Sequence, residues 1–147
     1  MEVEIRAVRP EDLFYIIEME ERIFGADAFS FNYLFYLYEN CREFFLIADY
    51  KGVLVGYVVS CRESEELHVH SIAVAEWFRG KGVGRRLMEE TLRLARLRGL
   101  KRVRLEVKTE NTVAISLYEK LGFERKAYLK SYYADGSDAY VYVLNLQ

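Results

Sequence analysis

Proline is almost missing from this sequence, with Pro10 the single example in 147 residues. Together with only nine glycines, this excludes a Pro/Gly-rich linker and a low-complexity tail. Cysteine is nearly as scarce: Cys41 and Cys61 stand alone, without CxxC spacing. The opening Met-Glu-Val-Glu-Ile-Arg lacks a basic-then-apolar leader, so a reduced, cytoplasmic protein is expected. Charge is balanced to a net −2, which argues against a nucleic-acid partner, because non-specific phosphate binding needs a broad basic surface. The apolar runs Phe44–Ala48 and Val53–Val59 fall far short of the roughly 20 residues that span a bilayer, so no membrane partner is expected. Internal repeats are absent as well. What remains is a chain of 52% apolar residues, long enough to bury one core without disulfide or metal staples. One domain over 1–147 is expected.

Period-two alternation of Val3, Ile5 and Ala7 predicts a strand that stops before Pro10. Leu13, Ile16, Ile17, Met19, Glu20 and Ile23 then recur at helical spacing up to Gly25. A second helix is predicted over Phe31–Tyr38. The aromatics Phe29, Phe31, Tyr33, Phe35, Tyr36 and Tyr38 exceed what one helix face needs; most are assigned to the core and the rest to a pocket wall. Phe44–Tyr50 and Val53–Cys61 flank Lys51-Gly52 as a hairpin, with Glu65-Glu66 closing the next turn. Leu67–Ala75 is a further strand, on which His68 and His70 share a face. A helix from Val83 ends at Gly99. In the strand Lys101–Lys108, Arg104 and Glu106 oppose Val103, Leu105 and Val107. Asn111-Thr112 starts a last helix that carries Val113, Ala114, Leu117, Tyr118 and Leu121 and stops at Gly122. Phe123–Tyr133 and Asp138–Leu146 read as two final strands around an Asp135-Gly136 turn. The fold class is mixed α/β in the order β-α-α-β-β-β-α-β-α-β-β, with about seven strands in a central sheet and four helices.

Between the strand ending near Val74 and the helix at Val83 lies Arg79-Gly80-Lys81-Gly82-Val83-Gly84-Arg85-Arg86. Glycines at every second position let main-chain N–H groups approach an anion, and the following helix adds free N–H groups and the positive end of its dipole. The basic residues Arg79, Lys81, Arg85 and Arg86 surround these amides, which points to a phosphate or pyrophosphate. The dinucleotide fingerprint fails because the third glycine comes one residue early, and the P-loop fails for want of Lys-Ser or Lys-Thr.

The stretch resembles instead the R-x-x-G-x-G coenzyme A loop of the GNAT superfamily of N-acetyltransferases, read as Arg79, Gly82 and Gly84. Ser71-Ile72-Ala73-Val74 before it, and Asn111-x-x-Ala114-x-x-Leu117-Tyr118-x-x-x-Gly122-Phe123 after it, extend the resemblance over almost the whole chain. Leu105-Glu106-Val107 with Asn111, and Lys130-Ser131-Tyr132-Tyr133-Ala134-Asp135-Gly136, are similar to the RimI-type and archaeal protein amino-terminal acetyltransferases.

This resemblance implies a GNAT fold and acetyl-CoA as cosubstrate. His68 paired with Glu106 offers a zinc ion two ligands, short of the usual three or four, so no functional metal is expected. The resemblance also implies that main-chain groups of Ile72, Ala73 and Val74 pair with the pantetheine arm as an added strand would. Arg79, Gly80, Lys81, Gly82, Val83, Gly84 and Arg85 would hold the pyrophosphate, and Asn111 would both start its helix and bond to the cofactor. Tyr118 is similar to the residue that protonates the leaving thiolate, Glu106 matches the general-base position, and His68 faces it; whether His68 acts with Glu106 or is a half-buried hydrogen-bonding histidine stays open. Phe29, Tyr132 and Tyr133 resemble residues that close over a substrate's first amino acids. The loop Gly25-Ala26-Asp27-Ala28-Phe29 departs from the Pro-Glu-Asn-Tyr of many relatives, so first-residue specificity does not carry over. The substrate implied is a protein or peptide N-terminus, with the ribosome or an auxiliary subunit as further partners. Two alternatives remain: a small-molecule amine or lysine acetyltransferase on the same scaffold, and a non-catalytic coenzyme A-binding protein.

Overall fold

The computed structural model describes residues 2–147. Among these the elements run β1 (Val3–Ala7), α1 (Leu13–Phe24), α2 (Phe31–Asn40), β2 (Phe45–Tyr50), β3 (Val53–Glu63), β4 (Glu66–Val74), α3 (Val83–Leu97), β5 (Arg102–Lys108), α4 (Thr112–Lys120), β6 (Glu124–Leu129) and β7 (Ala139–Asn145). This is the expected order. The strands form one sheet in the order β1-β2-β3-β4-β5-β7-β6. Neighbours are antiparallel except β4 and β5, whose parallel pairing requires the crossover that α3 supplies.

Both faces of β3 are covered, and two adjacent residues show by what. A Cβ on Gly56 would meet Leu87 and Val83 of α3, and would sit 2.9 Å from the Ala73 carbonyl oxygen; only glycine lets these strands and α3 approach so closely. Tyr57, on the opposite side of the pleat, reaches Glu20 of α1. The sheet therefore lies between α3 on one face and α1 on the other. On α3 the buried stripe is Val83, Leu87, Met88, Thr91, Leu92 and Ala95, each large apolar member contributing about 1.5–3 kcal/mol. Its end is a Schellman motif: Gly99 has φ +74°, Leu100 N–H donates to Ala95 O and Gly99 N–H to Arg96 O.

Several expectations need correction. Cys41 and Cys61 form a disulfide, so the reduced state read from their spacing is wrong; α2 and β3 bring their Cα atoms to 5.0 Å, a proximity that a 20-residue separation does not advertise. Of the α2-region aromatics only Tyr38 is buried, while Phe31, Tyr33, Phe35 and Tyr36 are exposed. Leu34 and Leu37 already fill the inner face, and the rings stack on one another, Phe14 on Phe31 and Tyr33 on Tyr36. Val113 is also exposed. The turn before β4 is Ser64-Glu65, with Ser64 at φ +61°, and Glu66 already belongs to the strand.

The last hairpin is shorter than its sequence suggests. β6 stops at Leu129 because Ser131 turns left-handed at φ +51° and gives its N–H to Asp138 Oδ1 at 2.7 Å. Tyr132 and Tyr133 consequently leave the strand for a loop. Asp135-Gly136 does turn, closed by Gly136 N–H to Tyr133 O and Tyr133 N–H to Ser137 O, but inside that loop rather than between strand ends.

Candidate active site

β4 and β5 pair only from Glu66–Arg102 to His68–Arg104 and then part. At the same place β4 carries a bulge: Val59 faces Ser71 and Ser60 faces Val69, leaving His70 as the extra residue. The gap opens a cleft of about 300 Å³ whose walls include Glu20, Phe29, His70, Glu106, Asn111, Tyr118 and Tyr133. The flank of β4 along Ile72–Val74 has no strand beside it, which leaves main-chain groups there, other than the Val74 O that Arg79 takes, for an added extended segment.

At the point of parting, His68 Nε2 lies 2.7 Å from Glu106 Oε1, and Arg104 Nη1 donates to Glu106 Oε2 at 2.5 Å. Strand alternation puts Arg104 and Glu106 on one face, as the sequence implied, and the parallel register brings His68 to them. Burial by itself would raise the Glu106 pKa; the His68 hydrogen bond and the Arg104 charge outweigh it and hold the carboxyl below its ordinary value. His70, ring centroid 4.5 Å from that of His68, is pushed down to about 4 by burial and then by His68, so it is neutral at pH 7.

Tyr118 faces the cleft from α4. Burial alone raises its pKa, which keeps the phenol protonated and marks it as a proton donor rather than a base. Asn111 caps α4, its Oδ1 accepting Ala114 N–H at 3.2 Å, and it reaches the same cleft.

The glycine loop is built as expected, with Gly80 and Gly82 at φ +75° and +85° and no atom within 4 Å of the place a Cβ would take. Gly84 begins α3 against Leu117 and Val74, where a Cβ would make ordinary contacts at 3.7 Å. Val83 itself is buried in the core. Three of the four basic side chains around the loop already have partners. Arg86 turns away to Val3 O at 2.6 Å, Arg85 pairs with Glu89, and Arg79 Nε donates to Val74 O at 3.1 Å. Lys81 stands over the Phe78 ring. Main-chain N–H groups at the α3 N-terminus, rather than four free cations, are therefore what this loop could offer an anion.

Phe29 and Tyr133 both line the cleft. Tyr132 stacks edge-on against Tyr133 at 4.9 Å and is not a wall residue. Sequence reasoning missed Glu20, which it counted only as part of the α1 spacing. Glu20 is 1% exposed and accepts hydrogen bonds from Tyr57 Oη, Ser71 Oγ at 2.6 Å and Phe29 N–H at 3.2 Å. It thereby fixes Phe29 at the cleft mouth; a carboxylate within the apolar stripe of α1 was the available signal. From the other side, Asp27 Oδ1 accepts Ala134 N–H at 2.8 Å and Lys108 pairs with Asp135 at 3.0 Å, fastening the β6–β7 loop across the cleft.

A match to the family described as acetyltransferase (GNAT) covers residues 7–123. The chain belongs to that family. Among its relatives, the N-alpha-acetyltransferase of Sulfurisphaera tokodaii is 34% identical over 95% of this chain and 91% of its own. The N-alpha-acetyltransferase RimI of Mycobacterium tuberculosis is 43% identical over 60% of this chain and 58% of its own. The crystal structure of Ard1 from Thermoplasma volcanium superposes with a TM-score of 0.92 at 32% identity, covering 99% of this chain and 98% of that one. In this GNAT chain Ile72 of β4, Asn111 and Tyr118 are walls of one cleft, and Gly84 at the start of α3 lies beside Val74 and Leu117. No helix among the described residues is long and apolar enough to cross a membrane.

Proposed function

We propose that this family member transfers the acetyl group of acetyl-CoA to the α-amino group of a protein or peptide N-terminus, by direct attack in a ternary complex, and that 1–147 is a single N-acetyltransferase domain. Its similarity to proteins named N-alpha-acetyltransferase supports the substrate class. The observation that carries the chemistry is that Glu106, tied to His68, and Tyr118 are walls of the same cleft.

Acetyl-CoA supplies an activated thioester. The chain supplies proton management around it. An α-amine of pKa about 7.7–8.0 needs only about 1–1.4 kcal/mol to deprotonate at pH 7, against roughly 4.6 kcal/mol for a lysine side chain. Glu106, held below its ordinary value, is hydrogen-bonded to His68, and the pair receives the amine proton through water. Tyr118 gives its proton to the departing sulfur; burial that raises a phenol raises a thiol in the same place, so the transfer stays feasible. Ile72–Val74, the loop Arg79–Arg85 and Asn111 hold the cofactor, with Gly80, Lys81 and Gly82 around the pyrophosphate. Phe29 and Tyr133 bracket the peptide end, with Tyr132 packed edge-on against Tyr133. Because exposed N-termini are produced at the ribosome, a cytoplasmic location and association with the ribosome or an auxiliary subunit belong to the same reading.

The test is labelled acetyl-CoA with two peptides, one with a free N-terminus and one with a blocked N-terminus and a free lysine. The free N-terminus should react far faster. Equal rates would transfer the assignment to the lysine or small-amine alternative, and label on neither would leave a coenzyme-binding protein.

A further inference from the structure

Glu63, at the end of β3, and His68 and His70 of β4 present one donor atom each within 4.8 Å of one another. The β3–β4 register produces this cluster. Cys61 faces His68, so Glu63, two residues on, is the diagonal same-face neighbour of His68, and the bulge at His70 crowds the two imidazoles. We propose that Glu63, His68 and His70 form a site for a zinc-class divalent cation, and that filling it switches acetyl transfer off.

The donor set is two imidazoles and a carboxylate, the composition of three-ligand zinc sites with an open fourth position. Tetrahedral bonds of about 2.1 Å place donors roughly 3.4 Å apart, and His68 Nδ1 and Glu63 Oε2 already stand at 3.3 Å. His68 keeps its other nitrogen, Nε2, on Glu106 at 2.7 Å. That is the carboxylate–histidine–metal arrangement, in which an outer carboxylate fixes the ring and raises its basicity toward the ion. The charge around the site also suits a cation. Arg104 is shared among the carboxylates of Glu63, Glu66 and Glu106 and Arg102 also pairs with Glu66, so three carboxylates meet two guanidinium groups and an excess of negative charge remains.

The switch rests on the reading that the His68–Glu106 pair takes the amine proton. A cation held by His68 and His70 sits at a wall of the cleft, His70 and Glu106 both lining it, and occupies the one ring nitrogen of His68 that Glu106 does not already take. Release of the cation frees it. The disulfide keeps Cys41 and Cys61 from competing as thiolate ligands.

The experiment reads binding and turnover separately. Oxidised, chelator-stripped protein without coenzyme A is titrated with zinc against a chromophoric chelator. One equivalent should bind, and Glu63→Gln and His70→Asn should each weaken it at least about 10-fold. Glu63 is half exposed, so its variant retains the fold. Acetylation of a peptide lacking His, Cys, Asp and Glu is then followed by mass spectrometry, each variant against its own zinc-free rate. Wild-type transfer should fall in step with occupancy and return with EDTA, while both variants need at least about 10-fold more zinc. Absence of stoichiometric binding, or equal affinity in wild type and both variants, overturns the site. Binding as expected with undiminished transfer overturns the switch and, because binding is measured without turnover, locates the failure in the role given to His68.

Discussion

His68 and Glu106 meet at 2.7 Å directly beyond the last rung of the β4–β5 ladder, the His68–Arg104 pair. The contact is set by strand register rather than by flexible side-chain search, since Glu106 follows Arg104 by one period of the pleat. Replacing either residue by a shape-matched one should therefore change chemistry more than position.

Glu106→Gln removes the carboxylate of the pair that receives the amine proton. The rate at pH 7 should fall about 10²-fold or more, and the deficit should narrow as pH rises through about 8, where the α-amine loses its proton unaided. A pH–rate series on both proteins checks this; a pH-independent deficit would remove the pair from proton transfer.

Tyr118→Phe deletes a hydroxyl whose pKa is shifted by burial alone, so no protein partner is orphaned and the melting temperature should hold. Turnover should fall by about 10²-fold or more with acetyl-CoA affinity unchanged. Calorimetry beside steady-state kinetics separates the two quantities, and wild-type turnover would exclude Tyr118 as the donor.

Glu20→Ala strips the acceptor from Tyr57, Ser71 and the Phe29 amide at once. Leaving buried donors unpaired should cost about 3 kcal/mol. Because Phe29 loses its anchor, KM for the peptide should rise more than kcat falls. Denaturant melts and peptide kinetics report each part.

Asp49 provides a pH handle away from the cleft. Burial would raise its pKa, but Arg6 Nε at 3.0 Å and the Gly52 amide at 2.7 Å outweigh it and hold the carboxyl low. A folded pKa depressed below the ordinary 3.8 contributes stability above that value and loses it as pH falls through the folded one. Melting curves from about pH 6 down to about pH 2 should show a decline that Asp49→Asn makes shallower, while the variant is less stable at neutral pH.

The features legible in the sequence were those written locally. Asn111 at a helix start, Gly99 at a helix end and the strand–glycine–helix order around Gly82 each depend on neighbours within a few residues. What escaped depends on chain segments far apart. Arg86 looks like an anion ligand until β1 supplies the Val3 carbonyl, and Glu20 looks like a misplaced charge until Tyr57 and Ser71 arrive. Cys41 and Cys61 carry no motif, and only the packing of α2 beside β3 makes them a bonded pair. Tyr132 and Tyr133 left their expected strand because Asp138, seven residues beyond Ser131, outcompeted the ladder for its N–H.

The separation of β4 from β5 creates a sheet edge in the interior of the sheet. Beyond His68 the β4 amides that face the gap have no strand to bond to, and such amides exchange with solvent by local access rather than by global unfolding. In deuterium they should label quickly while their neighbours facing β3 stay protected. An extended ligand lying along Ile72–Val74 would act as the missing strand, so the speed at which these few amides label becomes a direct gauge of whether the groove is filled, readable without any acetyl group changing hands.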